Sequence, residues 1–377
     1  MNNITLNIEK DVFGGFGLGY HDGKTCFIEG TVSGDTVEAQ IYEEKKNLIF
    51  GTATKVITAS EDRITALCKI AKHCGGCSYQ HISYKKELLI KKQIIEDSLM
   101  RIGSLDKESI PPIETISGDP QFYRSHGLVK IKNNTIGFFK ARSNDLVPLP
   151  QEGCLLMHNE INSFCTKNNE NLNNEEIKIA VDENKKVIWQ EKSIVTEKIN
   201  DITYSRSLEL FFQANRLLRQ RMIDEVIELC DCNKDDIICD AHCGVGLFSL
   251  PLAKISKSVR AFDINKEAVK FAKRNAKINS IKNIDFSSLA SSQIHPQRDL
   301  SDIVVLDPPR GGCDKKTRKT IMAMKPKKIV YVSCDPATYS RDVKDFITEG
   351  YKLKKLYFID MFPRTYHIEI MSLLERP

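Results

Sequence analysis

The chain has 377 residues, 12 cysteines and a formal net charge of +5, and 41% of it is hydrophobic. This length exceeds one ordinary core, so two or three domains are expected, and the hydrophobic content is that of a globular protein. No apolar run reaches the length of a bilayer span, and Met1-Asn2-Asn3-Ile4-Thr5 lacks the basic head and apolar stretch of a signal peptide. A cytoplasmic protein with no membrane partner is therefore expected. In a reducing compartment the cysteines are read as buried residues, metal ligands or catalytic thiols rather than disulfides.

Residues 1–60 alternate in short strands separated by glycine-rich turns, the pattern of a small β-barrel. The run Gly14-Gly15-Phe16-Gly17-Leu18-Gly19 lacks the strand-loop-helix setting of a phosphate loop and reads as tight turns. Residues 61–204 form a second, mixed α+β domain. It opens with Cys68, Cys74 and Cys77 in a loop. A helix over 83–103 follows, with Tyr84, Leu88, Ile95, Leu99 and Ile102 near helical spacing and Gly103 ending it. The lysine groups 85, 86, 91, 92 and 325, 327, 328 suit either nucleic acid or a solvated helix face. The asparagine-rich stretch 168–174 reads as a surface loop.

From residue 205 to 377 helices and strands alternate. A helix is expected over 213–230 and another over 265–279, with strands at 236–240, 259–263, 303–307 and 328–333 and two late strands near 354–360 and 367–374. This is the α/β pattern of a parallel, Rossmann-like sheet covered on both faces. After the first strand comes Asp240-Ala241-His242-Cys243-Gly244-Val245-Gly246, and Asp263 ends the second strand where a ribose needs a carboxylate. The third glycine of a dinucleotide fingerprint is absent, because Ser249 stands there. S-adenosylmethionine has no phosphates and does not need that cradle. Cys334 follows another strand end, and Asp307 sits at the neighbouring one. On position alone Cys334 is either a small buried residue or a catalytic thiol. Cys230, Cys232, Cys239 and Cys243 read as packing residues.

Three segments, Asp307-Pro308-Pro309-Arg310-Gly311, Ser333-Cys334-Asp335-Pro336 and His367-Ile368-Glu369, together with Phe211-Phe212-Gln213-Ala214-Asn215 and Cys74-Gly75-Gly76-Cys77, resemble the motifs of the 5-methyluridine RNA methyltransferase family. The resemblance runs nearly end to end. It implies a class I, S-adenosylmethionine-dependent methyltransferase domain, an N-terminal TRAM domain that binds RNA, and a [4Fe-4S] cluster held by Cys68, Cys74, Cys77 and Cys154. Cysteine spacing by itself leaves zinc open. The resemblance further implies that Cys334 is the nucleophile and Glu369 the base in methylation of uridine at carbon-5. It places Gln213, His242, Gly244, Asp263 and Asp307 about the cofactor and Phe211 as a stacking surface. The family usually carries an aromatic residue where His242 stands and glutamate where Asp263 stands.

The RNA expected is 23S ribosomal RNA first and transfer RNA second, with no obligate protein partner. Asp335 opposes ionisation of the neighbouring thiol, so it is expected to face away or be neutralised. A non-catalytic RNA-binding protein is disfavoured by the joint presence of Cys334, Glu369 and Gln213. An amino-group methyltransferase is disfavoured by Arg310, since those enzymes follow the prolines with an aromatic residue.

Overall fold

A computed structural model describes residues 3–167 and 175–377. The asparagine-rich stretch 168–174 lies outside the described residues.

The N-terminal unit is a six-stranded sheet in the order Asn3–Asn7, Thr36–Glu44, Leu48–Thr58, Lys24–Glu29, Phe16–His21, Lys10–Val12. Its alternating pattern turns Ile4, Leu6, Cys26, Ile28, Val37 and Ala39 into one core. The amide of Glu9 donates to the carbonyl of Leu18, which brings the first strand against the fifth and rolls the sheet toward a barrel. Gly14 and Gly15 take the positive φ values of a tight turn, as the sequence predicts. Gly17 and Gly19 instead lie inside a strand. A Cβ at Gly19 would stand 2.2 Å from the carbonyl oxygen of Asn7, so that glycine lets two strands meet.

The central unit is a five-stranded sheet of Leu146–Pro148, Thr135–Phe139, His126–Lys132, Glu176–Val181 and Val187–Ile188, with helix Asn159–Lys167 packed against it.

The large sheet has eight strands: Ile284–Ser287, Ser258–Phe262, Ile237–Asp240, Ile303–Leu306, Lys328–Ser333, Glu369–Glu375, Lys352–Ile359 and Ile113–Ile116. The first five run parallel, and Glu369–Glu375 lies antiparallel between its neighbours. Period-two alternation splits each central strand between two cores. Val330 and Val332 join Met222, Val226 and Leu252 on one face, and Ile329 and Tyr331 join Ile95, Leu99 and Phe346 on the other. This is the class I methyltransferase architecture that the sequence implies.

Three local expectations change. The helix expected over 213–230 begins at Arg219, because the Asn215 side chain accepts from the amides of Leu217 and Leu218 and holds the preceding residues out of helix. Helix Tyr84–Arg101, capped by Ser83, packs on the large sheet, and strand Ile113–Ile116 pairs with Lys352–Ile359 inside it. The stretch assigned to a central domain at 61–204 thus completes the C-terminal sheet. Lys91 is not part of a solvated face: it is fully enclosed between Glu87 and Asp360. Among the described residues, no helix is long and apolar enough to cross a membrane.

Candidate active site

Strands Ile237–Asp240 and Ile303–Leu306 are neighbours from which the sheet continues in opposite directions. The crevice above such a reversal is where ligands enter an α/β sheet. A cleft of about 990 Å³ opens there, and Gln213, His242, Gly244, Asp263, Asp307, Cys334 and Glu369 all line it. Residues that the sequence scatters over more than 150 positions therefore share one cavity.

The glycine loop forms the cofactor side. Gly244 and Gly246 have φ of +50° and +95°, and a Cβ at Gly244 would project into open space. The amide of Gly244 donates to Asp263 Oδ2 at 2.8 Å, and Asn265 donates to the other oxygen at 2.8 Å. The shorter aspartate thus locks the loop from the tip of the second strand. Asp240 accepts from the Ser249 hydroxyl at 2.5 Å and is pushed up to about 6, first by burial and also by the charge of Asp263. Asp307 rises to about 7 through burial, then Asp240 and Asp263. Asp263 and Asp307 line this hollow with Asp240 enclosed behind them, a setting that favours a cation and disfavours a phosphate. A sulfonium with an amino-acid tail fits that hollow better than a dinucleotide does. Gln213 Oε1 and His242 Nδ1 are buried with no hydrogen-bond partner, a state that a ligand would relieve. Burial holds His242 down at about 4, so it faces the cleft uncharged.

The other side carries the thiol. Cys334 follows the last residue of strand Lys328–Ser333 and precedes helix Pro336–Thr348. Burial pushes its thiol up to about 12; Glu369 and Asp307 add to the rise and Arg310 opposes it. Asp335 spends its carboxylate on the helix, accepting from the amides of Ala337 and Thr338 at 3.1 and 2.9 Å. These bonds turn it toward the helix, but its charge still adds to the rise at Cys334, so the expectation of a neutralised neighbour is not met. Glu369 opens its strand fully enclosed, and burial followed by Asp307 raises its carboxyl well above the usual range. Phe211, at 72% exposure, stands at the mouth.

The rim joins all three units. Phe13 of the barrel meets Tyr366 edge-on, with ring centroids 5.8 Å apart. Ser78 lies against Gly15, and its amide donates to the Arg364 carbonyl at 2.8 Å. Arg124, Arg310, Tyr366 and His367 line the cleft with the candidate residues and were not singled out by sequence reasoning as site residues. The sequence pattern expects His367 in a strand with Glu369, but the strand begins at Glu369 and His367 belongs to the loop before it.

The four cysteines Cys68, Cys74, Cys77 and Cys154 lie outside the cleft, although Gly75 and Gly76 between them line it. Gly75 is held to the central sheet by a 3.0 Å bond from its amide to the Phe139 carbonyl. Burial pushes the Cys77 thiol up to about 12, and Cys154, Cys74 and Cys68 add to it, so the four sulfurs are within electrostatic reach of one another. Among the described residues, however, no three or more His, Cys, Asp or Glu side chains are grouped so as to hold a metal ion. The cluster expectation therefore gains no support from a ligand shell. Cys230 and Cys243 pack in one core and Cys239 in the other, as expected of packing residues.

Comparison with known proteins agrees with this geometry. A family model for tRNA (uracil-5-)-methyltransferases matches residues 122–377, and a TRAM domain model matches residues 3–54. An uncharacterized RNA methyltransferase of Aquifex aeolicus (strain VF5) is 32% identical, over 99% of this chain and 98% of its own. One from Listeria monocytogenes serotype 4b (strain F2365) is 30% identical, over 99% and 97%. A solved structure of Pyrococcus abyssi tRNA (uracil-54, C5)-methyltransferase with S-adenosyl-L-homocysteine superposes with a TM-score of 0.76 at 22% identity. The superposition covers 98% of this chain and 99% of that one.

Proposed function

We propose, from the premise that this chain belongs to the tRNA (uracil-5-)-methyltransferase family, that it methylates a uridine of 23S ribosomal RNA at carbon-5 through a covalent bond to Cys334. The observation that carries the proposal is the convergence of Cys334, Glu369, Asp307 and Gln213 on one cleft.

Carbon-5 of uracil is a weak nucleophile. Addition of the Cys334 thiolate to carbon-6 moves the ring electrons into an enolate, and carbon-5 becomes reactive. Gly244, His242, Asp263 and Asp307 would hold S-adenosylmethionine, which would supply an electrophilic methyl group for that carbon. Glu369 then takes the carbon-5 proton, and the electrons of that bond expel the thiolate and restore the ring. Gln213 orients uracil with its unpaired carbonyl oxygen, and Phe211 offers an aromatic face to a base swung out of its helix. On this reading the protein acts on its RNA in the cytoplasm.

We assign a [4Fe-4S] cluster to Cys68, Cys74, Cys77 and Cys154. The assignment rests on the family resemblance of the Cys74-Gly75-Gly76-Cys77 run, since no ligand shell is grouped among the described residues. A second reading, transfer RNA as substrate, is favoured by the full-length superposition on the tRNA uracil-54 enzyme. Mass spectrometry of digested ribosomal and transfer RNA, from cells with and without the gene, tests both readings. Loss of 5-methyluridine from one ribosomal position is the expected result. Loss from transfer RNA selects the second reading, and persistence of every 5-methyluridine with normal growth of the deletion rejects both.

A further inference from the structure

Arg310 stands in a cleft rich in carboxylates, yet among the described residues it forms no ion pair within 4.0 Å. Its guanidinium is hydrogen-bonded to His367 instead, with Nη2 3.0 Å from Nδ1 and 3.3 Å from Nε2. Arginine only donates, so the imidazole must present a lone pair and carry its proton on the other nitrogen. The charged groups that His367 faces permit this. Arg310, Lys91 of helix Tyr84–Arg101, and Arg124 are all cations, and the carboxylates Glu87 and Asp360 are occupied by Lys91. Glu369 lies two residues on in the same segment. Burial first and these cations next hold His367 down at about 4. The ring is fixed between Tyr366, at 4.3 Å, and Phe362, at 5.6 Å. The backbone of Arg310 is also tied down. The Thr338 hydroxyl donates to its carbonyl at 3.1 Å, from the helix that follows Cys334.

We propose that His367 is a positioning residue: its uncharged imidazole accepts a hydrogen bond from Arg310 and so keeps the guanidinium beside the thiol, where its charge favours the Cys334 thiolate. The assignment rests on the reading of Cys334 as nucleophile and adds the device that counters its carboxylate neighbours Glu369, Asp307 and Asp335. One motif thus supplies the cation, a second the thiol, and the third both the base and the group that aims the cation.

The test uses the full-length protein with His367→Leu, which removes the acceptor, and His367→Gln, which keeps an uncharged one. Alkylation of Cys334 is followed by mass spectrometry of the tryptic peptide 329–341, in which it is the one cysteine. Neutral iodoacetamide and anionic iodoacetate are used in parallel at pH 8. For His367→Leu, alkylation by iodoacetamide slows about tenfold, equivalent to about one unit of thiol pKa. The preference for the anionic reagent falls as well, which a purely steric change would not cause. His367→Gln stays within about twofold of wild type. Unchanged alkylation in His367→Leu, or an equal loss in His367→Gln, overturns the proposal. If His367→Leu does not fold, judged by loss of S-adenosylhomocysteine binding, His367→Gln decides alone: near-wild-type rates support the proposal and a tenfold loss overturns it. A wild-type protein that alkylates as described but methylates no uridine removes the functional reading and leaves the role of His367 standing.

Discussion

Lys91 Nζ lies 2.7 Å from Asp360 Oδ1 and 2.8 Å from Glu87 Oε1, with all three side chains closed off from solvent. Lys91 also donates to the Phe362 carbonyl at 3.2 Å, and Tyr84 donates its hydroxyl to Asp360 at 2.8 Å. The pair thereby fastens the loop before strand Glu369–Glu375 to a helix residue 269 positions earlier. Removing one partner leaves a buried charge without compensation. Lys91→Met is expected to destabilise the protein by about 3 kcal/mol. A Lys91→Met, Asp360→Asn double variant recovers part of that loss. Urea unfolding of the three proteins measures the difference.

Cys334→Ala lowers methyl transfer by at least about 10³-fold while RNA and S-adenosylhomocysteine binding persist. Glu369→Gln blocks the later step instead. A protein–RNA species that survives denaturing electrophoresis accumulates with Glu369→Gln and is absent with Cys334→Ala. Activity retained by Cys334→Ala defeats the covalent mechanism.

Asp240 and Asp307 are raised to about 6 and about 7 in the folded protein, above the value of about 4 expected when unfolded. The folded state therefore holds more protons than the unfolded state between pH 4 and 7. Their contribution to stability is full below about pH 4 and is lost as pH rises through about 7. The ligand-free protein is expected to melt at a lower temperature at pH 8 than at pH 5.5 on this account, and Asp307→Asn flattens the dependence. S-adenosylmethionine, being a cation, raises Tm more at pH 8 than at pH 5.5, and more than the uncharged-sulfur homocysteine product does. Scanning fluorimetry across pH with both ligands checks the sign.

Protein purified without oxygen is expected to carry about four iron atoms per chain if the cysteine assignment is right. Cys74→Ser lowers that content and the melting temperature. Zinc in place of iron, or no metal at all in either protein, removes the cluster from the account.

Much of the site was legible because its residues follow strand ends. Asp240, Asp263, Asp307 and Cys334 each fall at or just past the C-terminal end of a continuous apolar strand, and a parallel sheet brings those ends to one edge. Gln213 was legible only through family resemblance: it lies in an extended loop whose shape depends on the Asn215 side chain, where periodicity suggested helix. The strand Ile113–Ile116 was opaque for another reason. Four residues with one fully buried side chain carry no local sign of a parallel partner at 356–359. Lys91 looked solvated because its partner Asp360 is equally remote.

The order in which the eight strands join also bears on synthesis. Helix Tyr84–Arg101 offers Ile90, Ile94, Ile95 and Leu99 to a core whose other wall includes Phe346, Phe358 and Ile370. During translation that apolar stripe emerges long before its partners do, and contacts across such a span are slow to form. A nascent chain paused at residue 340 would expose the stripe to proteases or chaperones. Release of the last few dozen residues, rather than completion of the barrel, is then the event that commits the N-terminal half to its native place.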